Sequence, residues 1–155
     1  MKRTGTIGVF WGRFDLLHIG HLNAFEFCKE HCDHLILGIA SDDYCNAKRS
    51  YDDSTTVTPR KMWNSYASRK RLLEAFRQVD EVYAYGHSCP YVLCMELREK
   101  GIEVEAAFLN PEYEGTELYN EAVEKLNAEG IKPIFVPRTK DVSSTEIKEI
   151  QSQRN

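Results

Sequence analysis

The stretch Ile7-Gly8-Val9-Phe10-Trp11-Gly12-Arg13-Phe14-Asp15-Leu16-Leu17-His18-Ile19-Gly20-His21-Leu22 decides how the rest of the chain is read. Residues 6–12 are apolar nearly throughout and predict a buried strand. Leu22, Phe25, Cys28 and Cys32 then recur at helical spacing, which predicts a helix from about His21 to Cys32. Two histidines three apart, with a glycine between them, therefore fall at a strand-to-helix junction. Gly20 lets a backbone or a ligand come close. His21 stands where the free N–H groups and dipole of a helix start favour an anion, and imidazole N–H groups can face a phosphate. A lone His-x-Gly-His also suits a turn or half of a metal site. Its place after a buried strand, with Gly12 and Asp15 before it, favours the phosphate.

Outward from this junction, strands and helices alternate to the end of the chain. Leu35, Ile36, Leu37 and Ile39 mark a second buried strand over 34–40. Ser68 can cap a helix with the apolar face Leu72, Leu73 and Phe76. Further strands are predicted over 81–85, 102–109 and 132–136. The helix between Pro90 and Gly101 has a favoured first residue and a favoured stop. The stripe Leu118, Ala122, Val123 and Leu126, with Glu121 and Lys125 at i,i+4, ends at Gly130. A last helix starts near Ser143, which stands in capping-box spacing with Glu146. Such alternation predicts an α/β fold: a Rossmann-like, doubly wound, parallel five-stranded sheet in one domain over 1–155. Ligands of such sheets sit beyond the carboxyl ends of the strands.

Composition narrows the function classes. The chain has 155 residues and a formal net charge of −4, which argues against broad nucleic-acid binding. No apolar run approaches the ~20 residues needed to span a bilayer, and the start of the chain shows no small-residue cleavage site, so a cytoplasmic protein is expected. The cysteines at 28, 32, 45, 89 and 94 read as free thiols, Cys28 and Cys32 as core residues of a helix. His31, His34 and His87 read as surface or interface residues. One segment breaks the regular order: 49–66 is long and polar and is expected to be a flexible insertion. Residues 48–77 carry eight basic and three acidic side chains, whereas 103–129 carry eight acids and one lysine. A basic segment in an acidic chain suggests an anionic ligand; a solvated helix face, including Arg69, Lys70 and Arg71, is the plainer reading.

The run Phe14-Asp15-Leu16-Leu17-His18-x-Gly20-His21 resembles the HxGH signature of the nucleotidylyltransferase superfamily. It is most similar to the cytidylyltransferases, the glycerol-3-phosphate cytidylyltransferase family above all. Three later stretches carry the likeness along the chain: Ala40-Ser41-Asp42, Arg77-Gln78-Val79-Asp80-Glu81-Val82, and Pro137-Arg138-Thr139 with Val142-Ser143-Ser144-Thr145-Glu146-Ile147. The resemblance implies transfer of CMP from CTP to a small phosphorylated acceptor, glycerol 3-phosphate by default, with release of pyrophosphate. It implies catalytic roles for His18, His21, Lys48 and Arg138. Nucleotide or phosphate contacts would come from Gly12, Arg13, Phe14, Asp15, Gly20, Arg77, Thr139, Ser143, Ser144 and Thr145. It further implies Mg²⁺, with no ligand named, and a homodimer. Three features depart from the family pattern: Arg13 in place of a small threonine, Asn110-Pro111-Glu112-Tyr113 in place of Gly-Asp-Asp-Trp, and Asp141 in place of a glycine. They keep two other readings in view, an ATP-dependent adenylyltransferase of the same superfamily and a nucleotide-binding regulator without turnover.

Overall fold

In the computed structural model, residues 3, 5–46, 49–52, 55–57, 62–86 and 89–139 are described. Five strands form one parallel sheet in the order β5-β2-β1-β6-β7. These are β1 (Ile7–Gly12), β2 (His34–Ala40), β5 (Glu81–Tyr85), β6 (Ala106–Leu109) and β7 (Lys132–Phe135). The central strands are buried along their length because helices cover both faces. Alternate residues of β1 divide between the two layers. Phe10 packs with Phe25 and Cys28 of α1 (Ile19–His31) and Leu73 of α3 (Tyr66–Glu74). Val9 and Trp11 pack with Leu93, Cys94 and Leu97 of α4 (Pro90–Glu99) and with Tyr119 and Leu126 of α5 (Glu117–Ala128). After β5 the chain crosses back through α4 to β6, so strand order reverses between β1 and β6. That crevice, at the carboxyl ends, is the topological switch point.

Several local expectations are corrected. Helix α3 is capped by Ser65, whose Oγ accepts from Ser68 N at 3.2 Å; Ser68 itself is helical, and Leu72 is 49% exposed. The polar insertion holds an antiparallel pair, β3 (Arg49–Asp52) with β4 (Thr55–Val57), after a short helix α2 (Asp42–Asn46). The last helix of the sequence reading lies outside the described residues. Arg69 is the largest correction: it is fully buried rather than part of a wet helix face. Its Nη1 donates to Arg13 O at 2.8 Å and to Ala40 O at 2.7 Å. Nη2 meets Asp42 Oδ1 at 2.6 Å, and Nε donates to Asn64 O at 3.2 Å.

His34 is also buried rather than exposed, with Nε2 at 2.6 Å from Glu81 Oε2. Arg3 clamps the same carboxylate through two contacts of 2.6 Å, and Tyr83 Oη donates to it at 3.1 Å. The Arg3 hydrogen bond holds the Glu81 carboxyl down at about 2, against its ordinary 4.5, with His34 and Tyr83 assisting and burial opposing. A depressed carboxylate stabilises the fold fully above pH 4.5 and loses that contribution as pH falls through about 2.

Two stability outcomes follow. In urea titrations across pH, Glu81→Gln is less stable than the parent at pH 7, and the gap narrows steadily below pH 4.5; a gap independent of pH would show that the charge contributes nothing. Arg69→Met lowers stability by about 2–4 kcal/mol, because the Arg13 and Ala40 carbonyls are left unsatisfied at ~1–3 kcal/mol each.

Candidate active site

The His-x-Gly-His spacing has a structural cause. Helix α1 begins at Ile19, two residues earlier than its apolar stripe suggests, and His18 is its N-cap. His18 Nδ1 accepts from Gly20 N at 3.0 Å, and His21 Nδ1 accepts from His18 N at 3.1 Å. The pair is a capping box built from imidazoles: the His18 ring satisfies the amide beside His21, and the His21 ring satisfies the amide of His18 itself. Gly20 is required because the His18 ring folds back over it: a Cβ at Gly20 would stand 2.7 Å from His18 Cε1.

This arrangement fixes the chemistry of both rings. With each Nδ1 used as an acceptor, a neutral imidazole carries its proton on Nε2. Burial lowers the pKa of both, that of His21 to about 4 with the His18 ring adding to the effect. The ring centroids are only 4.1 Å apart. At neutral pH the site therefore presents two uncharged Nε2–H donors, side by side, beyond the carboxyl end of the central strand. Phe14, buried in the left-handed region at φ 55°, sets its ring edge-on to His21 at 5.7 Å and supplies part of the apolar wall.

The other expected site residues divide. Thr139 comes to the His18–His21 helix: its Oγ1 accepts from Asn23 Nδ2 at 3.0 Å, and its Cβ lies 3.6 Å from the position of a Cβ on Gly20. Arg138 precedes it, exposed, 3.3 Å from Glu112 Oε1 in the turn after β6. Gly12 and Phe14 pack on each other, a Cβ on Gly12 reaching 3.2 Å from the Phe14 ring. Asp15 is 6% exposed, and its carboxylate accepts from Trp63 N (2.5 Å), Asn64 N (3.2 Å) and Asn64 Nδ2 (3.1 Å). It clamps the segment before α3 to the histidine loop. Arg77 is not brought to the site: it is exposed between α3 and β5, where Asp80 N bonds Leu35 O, at the amino edge of the sheet. Lys48, Ser143, Ser144 and Thr145 lie outside the described residues. Among the described residues no cluster of His, Cys, Asp or Glu fits a metal ion, and no helix is long and apolar enough to cross a membrane.

Residues missed by sequence reasoning are Arg69, Asn64 and the role of Asp42. The Tyr66 N–H, with Arg69 assisting, holds the Asp42 carboxyl below its ordinary range. One signal for Arg69 was present: it stands four residues before Leu73, on the buried face of α3.

Known proteins resemble this chain in sequence and in fold. Residues 9–150 match the family model described as cytidylyltransferase-like. The glycerol-3-phosphate cytidylyltransferase of Bacillus subtilis (strain 168) is 27% identical over 144 residues, covering 91% of this chain and 93% of that protein. A FAD synthase of Thermococcus kodakarensis is 29% identical over 139 residues, covering 88% and 85%. Among solved structures, the lipopolysaccharide core biosynthesis protein from Thermoplasma volcanium GSS1 superposes with a TM-score of 0.64 at 18% identity, covering 88% of this chain and 100% of that one. A bifunctional NMN adenylyltransferase/ADP ribose pyrophosphatase from Francisella tularensis gives 0.64 at 18%, covering 98% and 43%. At that identity the two structures show the fold alone.

Nitrogen NMR should find both imidazoles in the Nε2–H form at pH 7. His21 should titrate near pH 4 in the free protein and move upward with inorganic pyrophosphate, since an anion favours the protonated ring. A midpoint near 6.5 would mean that the ring is solvated. Gly20→Ala should break the His18–Gly20 hydrogen bond, seen as faster exchange of the residue-20 amide with α1 otherwise intact.

Proposed function

Because the chain belongs to the cytidylyltransferase-like family, we propose that it transfers CMP from CTP to a small phosphorylated acceptor, with release of pyrophosphate. The observation that carries this reading is the pair of neutral Nε2–H donors at the mouth of β1. An acceptor phosphate is already a nucleophile, so the reaction needs no enzyme-bound intermediate. The acceptor oxygen attacks the α-phosphorus in line and the bond to the β-phosphate oxygen breaks. The protein positions the reactants and stabilises charge as it shifts.

In this mechanism His18 and His21 donate to phosphate oxygens around the α-phosphorus. Being neutral, they need no counter-ion in the free enzyme, and their rings are already oriented by the backbone. That preorganisation lets them stabilise developing charge without rearrangement. Thr139 and Arg138, delivered next to α1 by the end of β7, face the same anion; Arg138 exchanges Glu112 for phosphate when nucleotide enters. The described residues do not build a cage for Mg²⁺, and Asp15 is committed to the 63–64 backbone. Mg²⁺ would be held by the oxygens of the triphosphate, its usual ligands in such sites, and would offset their charge. The alternative base assignment, ATP, is favoured by the altered Asn110-Pro111-Glu112-Tyr113 segment at the end of β6 and by the FAD synthase relative.

Pyrophosphate release assayed with CTP and ATP across alcohol phosphates tests the reading. The expected result is CTP-dependent release abolished by EDTA. Turnover with ATP alone reverses the base assignment, and tight nucleotide binding without release on a broad panel supports the regulatory reading. His21→Ala should lower kcat by about 100- to 1,000-fold while changing CTP affinity less than about threefold. Equal losses in both would show that His21 acts in ground-state binding.

A further inference from the structure

Trp11 is the penultimate residue of β1, beside the crevice where strand order reverses, and is 5% exposed. Its side chain belongs to the α4–α5 layer, opposite the layer that holds Phe14 and α1. The indole packs on Tyr85 with ring centroids 4.9 Å apart. It sits over Gly38, where a Cβ would meet Leu93 at 2.5 Å and Trp11 Cβ at 3.3 Å. Across the crevice, Asn110 Nδ2 donates to Trp11 O at 3.4 Å. The aromatic wall is therefore fixed from three sides.

The polar end of this wall is unsatisfied. Trp11 Nε1–H is buried without a hydrogen-bond partner, and so is Nε of Arg13, two residues on. Among the described residues these are the two buried N–H donors in that condition. A buried N–H left unpaired bears its desolvation cost without return, so native proteins seldom keep one without use. Both belong to the carboxyl end of the central strand: Trp11 is its penultimate residue, and Arg13 directly follows its last. The histidine donors claim the α1 side of that strand for the triphosphate, which leaves the other side for the second reactant.

We infer that Trp11 selects the acceptor, its Nε1–H donating to a hydroxyl or carbonyl oxygen on the acceptor body while Arg13 lies beside the acceptor's anionic end. This rests on the transferase reading and deepens it. Indole N–H is a donor only. A polyol or sugar phosphate offers it lone pairs; a trimethylammonium or a protonated amine offers none and leaves the donor unpaired. Sites built around such a bond discriminate strongly against analogues that lack the matching group. The acceptor class is therefore a hydroxyl- or carbonyl-bearing phosphate, and amino-alcohol phosphates are rejected.

Two measurements test this. The chain has two tryptophans, and Trp63 is 49% exposed, so Trp63→Phe leaves Trp11 as the sole indole reporter. Glycerol 3-phosphate or glucose 1-phosphate, added with or without CTP, should red-shift its emission, and choline phosphate should not. In turnover, Trp11→Phe keeps the ring and removes the N–H. It should lose at least 10-fold in kcat/KM with the hydroxyl acceptor that the parent uses, at unchanged CTP affinity, and it should narrow the preference over choline phosphate. Choline or ethanolamine phosphate turned over as well as polyol phosphates overturns the inference while the transferase reading stands. So does a Trp11→Phe variant with unaltered preference, or one that loses CTP affinity in step. If no acceptor supports release, the transferase reading fails, and the emission titration decides separately: no shift with either hydroxyl phosphate overturns the role of Trp11. That titration also decides if Trp11→Phe does not fold.

Discussion

A buried guanidinium holds the active end of this sheet together. Arg69 reaches from α3 under the loops and donates to the Arg13 carbonyl after β1, the Ala40 carbonyl at the end of β2, the Asp42 carboxylate of α2 and the Asn64 carbonyl. Burying a charge is costly unless it is paired and hydrogen-bonded, and here four acceptors, one of them a carboxylate, take four of its five N–H groups. A planar, five-donor fork can do this; a lysine, with one compact ammonium, cannot span the same points. Asp15 makes the reciprocal link, its carboxylate accepting from Trp63 N and Asn64 N. Through these two residues the histidine loop, the end of β2 and the segment entering α3 become one rigid body. Positioning catalysis requires such rigidity, because misplacement of a donor by about 1 Å can cost 100-fold in rate.

On that frame the two histidines act first as structural residues. They cap α1 and each other's neighbourhood, a task usually given to serine or threonine with glutamate. What imidazole adds is a second nitrogen. Once Nδ1 has accepted a backbone N–H, Nε2–H remains as a donor whose direction is set by the helix start. Burial against Phe14 keeps the rings neutral. The same contacts thus account for the spacing of the motif, the tautomer of each ring and the absence of mutual repulsion at a centroid distance of 4.1 Å.

Sequence periodicity read the strands well, because buried parallel strands are short apolar runs between turn residues: 34–40 and 81–85 coincide with β2 and β5. The HxGH stretch was legible as a strand-to-helix junction for the same reason, its histidines falling between the end of β1 and the first turn of α1. Reading failed where a polar residue is buried by long-range partners. Arg69 and His34 look solvent-facing in a linear pattern, since Asp42 and Arg13, which meet Arg69, lie 27 and 56 residues away and Glu81, which meets His34, lies 47 away. The start of α1 was misplaced because a histidine N-cap is not among the usual cap signals, and the cap of α3 because two serines three apart are equivalent in a sequence but not in space.

Charge counting needs the same correction. The surplus of basic residues over 48–77 invites an anionic ligand when read along the chain. In space, Arg69 leaves that tally, being neutralised inside the protein by Asp42. The proposed anion site rests instead on neutral donors and on backbone geometry at the carboxyl ends of the strands. A neutral, preoriented donor adds little ground-state attraction and responds most when charge develops beside it. That property is what separates a site for transferring a phosphoryl-linked group from a site that merely holds one.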